Sequence, residues 1–338
     1  KERLVELARR IRAWRAPVEF TCEANPESLT AELATALVKV GVTRVSLGVQ
    51  TLDNTELTAI GRIHDADRAL AAIATVKNAG LDVSCDLMCG LPGQTAASWK
   101  RTLDGVLAAA PHHVSVYPLA LEEGTPLYRM ACRDESLEPD EDFQASCMDL
   151  ARELLGAAGY HPYEVASYAL DGHECAHNIA YWTGRGYLGL GRSAAGMLDA
   201  EDFDRLAGLF PGVSSRGDAY RVRLVQRDDD AMAFETEYLS QREAAAEDLM
   251  LACRMTRGVA SDLLVRAAFV IPAGELAAAC DRALELGLAT WVPETLGVHE
   301  GSFTSADVIA GHVRARLAPT HLGWLDGNVL FELFWDLA

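Results

Sequence analysis

The chain has 338 residues, 50% of them hydrophobic and 23% charged, so it can bury a sizeable core in about two domains or one barrel with additions. Its net charge of -19, from 30 Lys and Arg against 49 Asp and Glu, argues against binding to nucleic acid or to an anionic membrane surface. No uncharged apolar run approaches the roughly 18 residues that span a bilayer, no secretory signal pattern is present, and eight scattered cysteines indicate reduced thiols in a cytoplasmic protein.

The first 120 residues alternate between helical and strand periodicity. Residues 1–15 have the apolar stripe of an amphipathic helix, and strands are predicted over 18–23, 44–50, 83–90 and 113–120. Thr30 is a predicted N-cap of a helix ending near residue 40, Asp53 with Glu56 resembles a capping box, and further helices are predicted over 67–79 and after Thr95. This alternation predicts a parallel α/β sheet, and the nearly continuous apolar strands predict that both sheet faces are covered.

The remainder of the chain is less regular. The pattern predicts a linker after residues 122–128, a helix over 143–158, an extended strand over 160–168, a loop over 173–197 and an edge strand over 221–226. Helices over 244–254 and 275–286, followed by short strands over 289–292 and 297–299, have the order of a winged helix. This part is acidic, so it is interpreted as a packing or lid domain rather than a DNA reader. The predicted domains are 1–130, 131–235 and 236–338.

Polar residues stand at the carboxyl ends of three successive predicted strands, where a parallel α/β barrel carries its site. They are Glu23, Gln50 and Asp86. Any one of them could be a turn or cap residue, but three together favour a binding site. Arg62 and His64 follow a helix, and they could belong to the site or cap that helix.

Three further groups have alternative interpretations. Cys85 and Cys89 lie within one strand and are interpreted as core thiols. His173-Glu-Cys-Ala-His177 is a weak metal clip, because loop geometry is unspecified. His177-Asn-Ile-Ala-Tyr-Trp182 places two aromatic rings beside a histidine, which suits an iron-containing macrocycle or a packed surface loop.

Several motifs resemble the radical S-adenosylmethionine (SAM) family of oxygen-independent coproporphyrinogen III oxidases, in order and over nearly the whole chain. The motifs are Glu23-Ala-Asn-Pro26, Arg44-Val-Ser-Leu-Gly-Val-Gln50, Gly61-Arg-Ile-His64, Asp86 with Gly90-Leu-Pro-Gly-Gln-Thr95, and Glu123-Gly-Thr-Pro-Leu-Tyr128. Others are similar to the family's shorter haem chaperone branch, HemW: Glu164-Val-Ala-Ser-Tyr168, His177-Asn-x-x-Tyr-Trp182, Tyr187-Leu-Gly-Leu-Gly191 and Thr320-His-Leu-Gly-Trp-Leu-Asp-Gly-Asn328.

The resemblance implies a partial (βα)6-type radical SAM barrel with a C-terminal helical, winged-helix-like domain. By motif match, Glu23, Gln50, Arg62, Asp86 and Ala120 line the SAM pocket. The family's Cys-x3-Cys-x2-Cys motif, which holds a [4Fe-4S] cluster, does not occur here, and the family's order would place it upstream of Lys1. The chain is therefore expected to hold the last four of six barrel strands, no cluster ligand, and no radical chemistry by itself.

Two functions are consistent with the resemblance. One is a chaperone that binds haem, with His177 as a haem contact, and delivers it to acceptor proteins, among which membrane-associated ones are candidates. The other is a coproporphyrinogen III oxidase, whose substrate carries four carboxylates and needs a basic cavity. The acidity of the chain and the HemW-like motifs favour the chaperone. An electron donor is an implied partner if SAM is cleaved.

Overall fold

The structure, a computed structural model, describes residues 1–210, 212–213, 215–227, 233–294 and 301–338. It divides into two compact units, Lys1–Ala176 and His177–Ala338, which are described separately. The division into three predicted domains stays a prediction.

The first unit contains a six-stranded sheet with helices between its parallel strands. Its strands are β1 Thr21–Ala24, β2 Arg44–Gln50, β3 Asp82–Cys89, β4 His113–Pro118, β5 His161–Pro162 and β6 Ser167–Ala169; its helices are α1 Glu2–Trp14, α2 Ala31–Lys39, α3 Asn54–Ala59, α4 Ala66–Asn78, α5 Ala96–Ala109, α6 Pro126–Ala131 and α7 Glu141–Ala157. The sheet order is β1-β2-β3-β4-β6-β5, in which β1 to β4 are parallel and the last two strands are antiparallel. The predicted parallel α/β architecture is confirmed.

Two local predictions in this unit need correction. The extended strand predicted over 160–168 is instead the pair β5 and β6, because the backbone N–H of Tyr163 donates to the carbonyl of Ser167 and closes a turn between them. Asp53 does cap α3, but Glu56 does not complete a capping box. Its carboxylate is buried and accepts a hydrogen bond from Thr51 Oγ1 at 2.6 Å.

The predicted helix caps account for the other helix starts. Thr30 Oγ1 accepts from the N–H of Leu33 at 3.2 Å, and Thr95 with Ser98 forms a capping box at the start of α5. Gly41 ends α2 at a φ of 86°, in the left-handed region that glycine adopts without steric cost.

The two faces of the parallel strands differ in polarity. On one face Val45, Leu47, Val83, Leu87 and Val114 are completely buried, together with Cys85, Cys89 and Val116. The register places polar residues side by side on the other face: Ser46 beside Ser84, then Ser84 beside His113, and Asp86 beside Ser115. The prediction that the strands are apolar on both faces is therefore wrong, whereas the prediction that both faces are covered is confirmed, because Ser84, His113 and Ser115 are also buried. The alternation leaves a polar face that can line a site.

The second unit combines an antiparallel sheet with a helical bundle. Its strands are β7 Ala195–Asp199, β8 Arg221–Gln226, β9 Phe234–Leu239, β10 Ala289–Pro293 and β11 Ala315–Pro319; its helices are α8 Ala176–Trp182, which begins at the unit boundary, α9 Ala200–Leu206, α10 Gln241–Ala252, α11 Ser261–Ala267, α12 Ala273–Glu285, α13 Ser305–Ile309, α14 His321–Leu325 and α15 Gly327–Trp335. Strand β8 lies between β7 and β9, so it is a central strand and not the predicted edge strand. Its apolar residues Val222 and Leu224 pack with Phe203 and Phe210.

The end of the chain follows the predicted order of helices and then a two-stranded ribbon. Strand β10 pairs with β11, over residues 315–319. The strand predicted at 297–299 lies outside the described residues. Among the helices that the structure describes, none is long and apolar enough to cross a membrane.

Candidate functional site

Strands β1, β2 and β3 bring together side chains that the sequence singled out, although Asp86 lies in the middle of β3 and not at its predicted carboxyl end. Glu23 lies in β1, Gln50 ends β2 and Asp86 lies in β3. The carboxylate of Glu23 is close enough to raise the pKa of Asp86. Ala120 lies two residues beyond the end of β4 and is exposed. The strand order therefore gathers these positions at one edge of the sheet.

Asp86 is held by hydroxyl groups of its two neighbouring strands. Ser46 Oγ donates to Asp86 Oδ2 at 3.0 Å, and the hydroxyl of Ser115 also hydrogen-bonds this carboxylate. Burial raises the pKa of Asp86 to about 6 and the charge of Glu23 adds to the rise, whereas the two serine hydrogen bonds oppose it. The carboxylate is thus positioned and desolvated before any ligand arrives.

A glycine at the end of β2 leaves room for three polar side chains. A Cβ at Gly48 would lie 2.9 Å from Gln50 Nε2, 3.7 Å from Asn25 Oδ1 and 3.8 Å from Arg62 Nη2. Arg62 Nη1 donates to Asn25 Oδ1 at 3.0 Å. Gln50 has a φ of 65°, a left-handed conformation that a non-glycine residue adopts only when its surroundings impose it.

The carboxylates and the guanidinium at this edge suit a ligand that carries both a positive and a negative group. A carboxylate binds an ammonium group or ribose hydroxyls, and a guanidinium binds a carboxylate. The backbone N–H of Arg62 donates to the carbonyl of Leu57 at 2.9 Å and helps to end α3, whereas its side chain reaches Asn25. His64 is buried, with Nε2 3.3 Å from the carbonyl oxygen of Val49 and Nδ1 3.3 Å from a carboxylate oxygen of Glu27, so it belongs to the scaffold.

Sequence reasoning missed several residues beside this edge. Ser46 and Ser115 orient Asp86, and the period-2 alternation of polar residues along β2 and β4 would have revealed them. Tyr117 lies two residues after Ser115 on the same face, and partial burial raises its pKa to about 12, with Asp86 and Glu164 adding to the rise. Glu164 is 3% exposed.

The His177 segment is a short helix, α8, and not the predicted loop. The spacing of four residues places His177 and Tyr181 on one helical face, with their ring centroids 5.2 Å apart. Tyr181 stacks on Tyr187 at 4.2 Å. The guanidinium carbon of Arg254 lies 5.1 Å from the ring centroid of Trp182. Tyr187 and Arg254 were not predicted to join this aromatic group, because tertiary packing brings them there.

The other two potential ligands of the predicted metal clip, His173 and Cys175, contact different residues. His173 Nδ1 lies 3.0 Å from Asp82 Oδ2, and the His173 ring stacks on that of His112. Cys175 Sγ lies 3.4 Å from a carboxylate oxygen of Glu19.

Comparison with known proteins identifies the first part of the chain. Residues 1–106 match the sequence model of the Radical SAM superfamily. These residues form a radical SAM domain. The "Heme chaperone HemW" of Lactococcus lactis is 32% identical over 242 residues, which cover 71% of this chain and 61% of that protein. The "Radical S-adenosyl methionine domain-containing protein 1, mitochondrial" of Bos taurus is 40% identical over 184 residues, 54% of this chain and 42% of that protein.

The fold of a solved radical SAM enzyme extends over the whole chain. "Coproporphyrinogen III oxidase (HemN) from Escherichia coli" matches with a TM-score of 0.70 and 18% identity, covering 99% of this chain and 74% of that chain. At this identity the likeness shows the fold alone. The chain spans 42% to 61% of the length of the two curated relatives named above.

The radical SAM family implies SAM and a [4Fe-4S] cluster. The side chains of this chain suit these two groups to different degrees. The polar edge around Gly48 and Asp86 fits the ammonium, carboxylate and hydroxyl groups of SAM. The sequence carries no Cys-x3-Cys-x2-Cys motif. Cys85 and Cys89 are completely buried, and burial raises the pKa of both thiols, that of Cys89 to about 12. They are core thiols, as predicted, and these two cysteines do not fit as ligands of the cluster.

Proposed function

We propose that this protein binds haem and passes it to acceptor proteins, with SAM held by its radical SAM domain. The identity to HemW haem chaperones over 71% of the chain supports the proposal. The observation that carries it is the group of aromatic rings beside His177, because ring faces can pack on a flat macrocycle and an imidazole nitrogen can bind its central iron.

For SAM, the proposed contacts are Glu23, Gln50, Arg62, Asp86 and Ala120. Arg62 is suited to the ligand's carboxylate, and Asp86 or Glu23 to its ammonium group or ribose hydroxyls. Gln50, close to Arg62 above Gly48, offers an amide at the same edge. Ala120, which is exposed, is the proposed contact beyond the end of β4. An electron donor is a partner only if SAM is cleaved.

For haem, His177 is the proposed axial ligand and Tyr181, Trp182 and Tyr187 are the proposed ring contacts. Neutral imidazole is a common axial ligand of haem iron. Arg254 brings a positive charge to the same aromatic group, which suits the propionates of haem. Its guanidinium also lies 4.4 Å from the ring centroid of Phe331, which restricts its orientation.

The acceptors and the location are part of the proposal. Haem-accepting proteins, including membrane-associated ones, are the proposed partners, and the cytoplasmic location stays a prediction. The oxidase alternative is less favoured, because a substrate with four carboxylates would meet a chain with a net charge of -19. The likeness to HemN supports its fold and not its activity.

A haem titration of the 338-residue chain, followed by the Soret band, tests the proposal. We expect His177→Ala to lose or shift the Soret band and weaken binding at least tenfold. The matched control is His312→Ala, because His312 is also exposed in this unit but lies beside Asp307 rather than beside stacked rings. Equal spectra and affinities in wild type and His177→Ala would contradict the assignment of His177. Failure of the wild-type chain to bind haem would contradict the proposed function.

A further inference from the structure

Three potential metal ligands meet at the opposite ends of the strands from the proposed SAM contacts. Asp82 is the first residue of β3, His112 immediately precedes β4, and His173 follows β6. Asp82 Oδ2 lies 3.0 Å from His173 Nδ1, and Asp82 Oδ1 lies 3.9 Å from His112 Nδ1. One ligand atom from each residue lies within 4.8 Å of those of the other two.

We propose that Asp82, His112 and His173 bind a divalent transition-metal ion of the zinc class. Two imidazoles and one carboxylate are a donor set that Zn²⁺ and its neighbours in the first transition row accept. Ligand atoms that bind one tetrahedral Zn²⁺ lie roughly 3.3 Å apart, so the donors need to move little. Their side chains are 28% to 36% exposed, which leaves access for the ion and for water as a further ligand.

Main-chain hydrogen bonds hold both histidines at this position. The backbone N–H of Val83 donates to His112 Nδ1 at 3.0 Å, so this nitrogen carries a lone pair and not a proton. Arg44 Nη2 donates to the carbonyl of His173 at 2.8 Å and to that of Glu174 at 3.2 Å. Because an incoming ion competes with the Val83 N–H for the lone pair, we expect binding of moderate rather than extreme affinity.

The stacking of the two imidazole rings distinguishes this cluster from an ordinary surface pair. The rings of His112 and His173 have centroids 4.6 Å apart and an angle of 29° between their planes. At His312 and Asp307, by comparison, the same Nδ1-to-carboxylate distance of 3.9 Å occurs in a two-residue pair on the surface. The bound ion would link the start of β3 to the segment 170–175. This inference is independent of the proposed haem and SAM functions.

Calorimetric titration of the 338-residue chain with Zn²⁺ tests the site. We expect one equivalent to bind, and we expect His173→Gln and Asp82→Asn each to weaken it by about 10- to 100-fold or more. His312→Gln is the matched control and should bind as wild type does. Asp82→Asn could disturb the start of β3, whereas His173 lies outside the strands. Weaker Zn²⁺ binding by His173→Gln, with an unchanged circular dichroism spectrum, is therefore the result that supports the site.

Titration with Co²⁺ separates this site from binding by thiols. We expect visible d–d absorption without a thiolate-to-cobalt charge-transfer band, and the same spectrum in Cys175→Ser. The proposal is overturned if wild type binds neither ion, if His173→Gln and Asp82→Asn bind as tightly as wild type, or if Cys175→Ser abolishes binding that shows the thiolate band.

Discussion

The polar edge around Asp86 and the aromatic group around His177 are supported in different ways. Asp86 belongs to a strand that is paired on both sides, and two serine hydroxyls orient its carboxylate. His177 lies on a seven-residue helix with no buried residue, and its ring contacts that of Tyr181 at an angle of 55°. The first site is therefore preorganised by the sheet, whereas the second can adjust to its ligand.

The difference has an energetic consequence. Opening the strand that carries Asp86 exposes a completely buried face and breaks hydrogen bonds to two strands, so it should require global unfolding of the unit. Opening α8 exposes half-buried side chains but no completely buried one, so we expect it to occur locally. This contrast suits a small ligand held in a fixed pose at one site and a ligand that must be released at the other.

The largest expected effect comes from Leu87→Ala, because Leu87 is completely buried beside Asp86. Removing this side chain should lower the free energy of unfolding by about 2–5 kcal/mol. Hydrogen exchange in peptides from β2, β3 and β4 measures it, since the loss should appear as faster exchange across the whole sheet. Faster exchange confined to β3 would contradict a cooperatively held scaffold.

The second prediction concerns ligand affinity. In Asp86→Asn the side chain can still form hydrogen bonds with Ser46 and Ser115, but it carries no negative charge. Losing one charge-assisted hydrogen bond costs about 1.5–3 kcal/mol, so SAM should bind about 10- to 150-fold more weakly in calorimetric titration. Asp104→Asn, which changes an exposed carboxylate on α5, is the control. Unchanged affinity in both Asp86→Asn and Glu23→Gln would show that these carboxylates only support the strands.

The same substitution should stabilise the fold relative to wild type by an amount that grows as pH rises from 4 to 7. The pKa of Asp86 is raised from 3.8 to about 6, so the folded state holds this proton more tightly than the unfolded state does. Stability from this group is present below the unfolded pKa and is lost as pH rises through about 6, a loss of about 2–3 kcal/mol. Asp86→Asn should therefore gain stability relative to wild type between pH 4 and pH 7.

Urea unfolding at several pH values checks this difference. Other groups titrate in both proteins, so the informative quantity is the difference between the variant and wild type. A difference that does not change with pH would show that Asp86 is not desolvated. Loss of SAM affinity together with a gain in stability would show that the carboxylate is kept for binding.

The sequence predicted the polar edge well because its geometry follows from strand direction. Once four parallel strands are recognised, their carboxyl ends must meet at one edge; Gln50 is the last residue of β2, and Glu23 and Asp86 lie within β1 and β3. Ser46 and Ser115 were missed because the strands were interpreted as continuous apolar runs. The alternation that the structure shows was present in the sequence.

The aromatic group and the Asp82 cluster could not be predicted in the same way. The Gly and aromatic residues over 173–197 indicated a loop and concealed the four-residue spacing of His177 and Tyr181, which a short helix uses. Arg254 joins that group from far along the chain. His112 and His173 meet Asp82 only after the strand order is established, because no fixed sequence spacing links them.

The smallest predicted effect is a local one at α8. Ala180→Gly should destabilise this helix by about 1 kcal/mol, because glycine has the greater conformational freedom to lose. This corresponds to about fivefold faster amide exchange at Thr183 and Arg185, whose N–H groups donate to Ile179 and Ala180. Haem affinity should fall by no more than that factor.

The matched variant in the sheet scaffold is Ala72→Gly, because Ala72 is a completely buried residue of α4. The helix penalty of about 1 kcal/mol is the same, but here it should speed exchange throughout the first unit. If Ala180→Gly also speeds exchange across its whole unit, α8 is part of the cooperative core. The aromatic group would then be as preorganised as the edge around Asp86, and the contrast between an adaptable and a fixed site would fail.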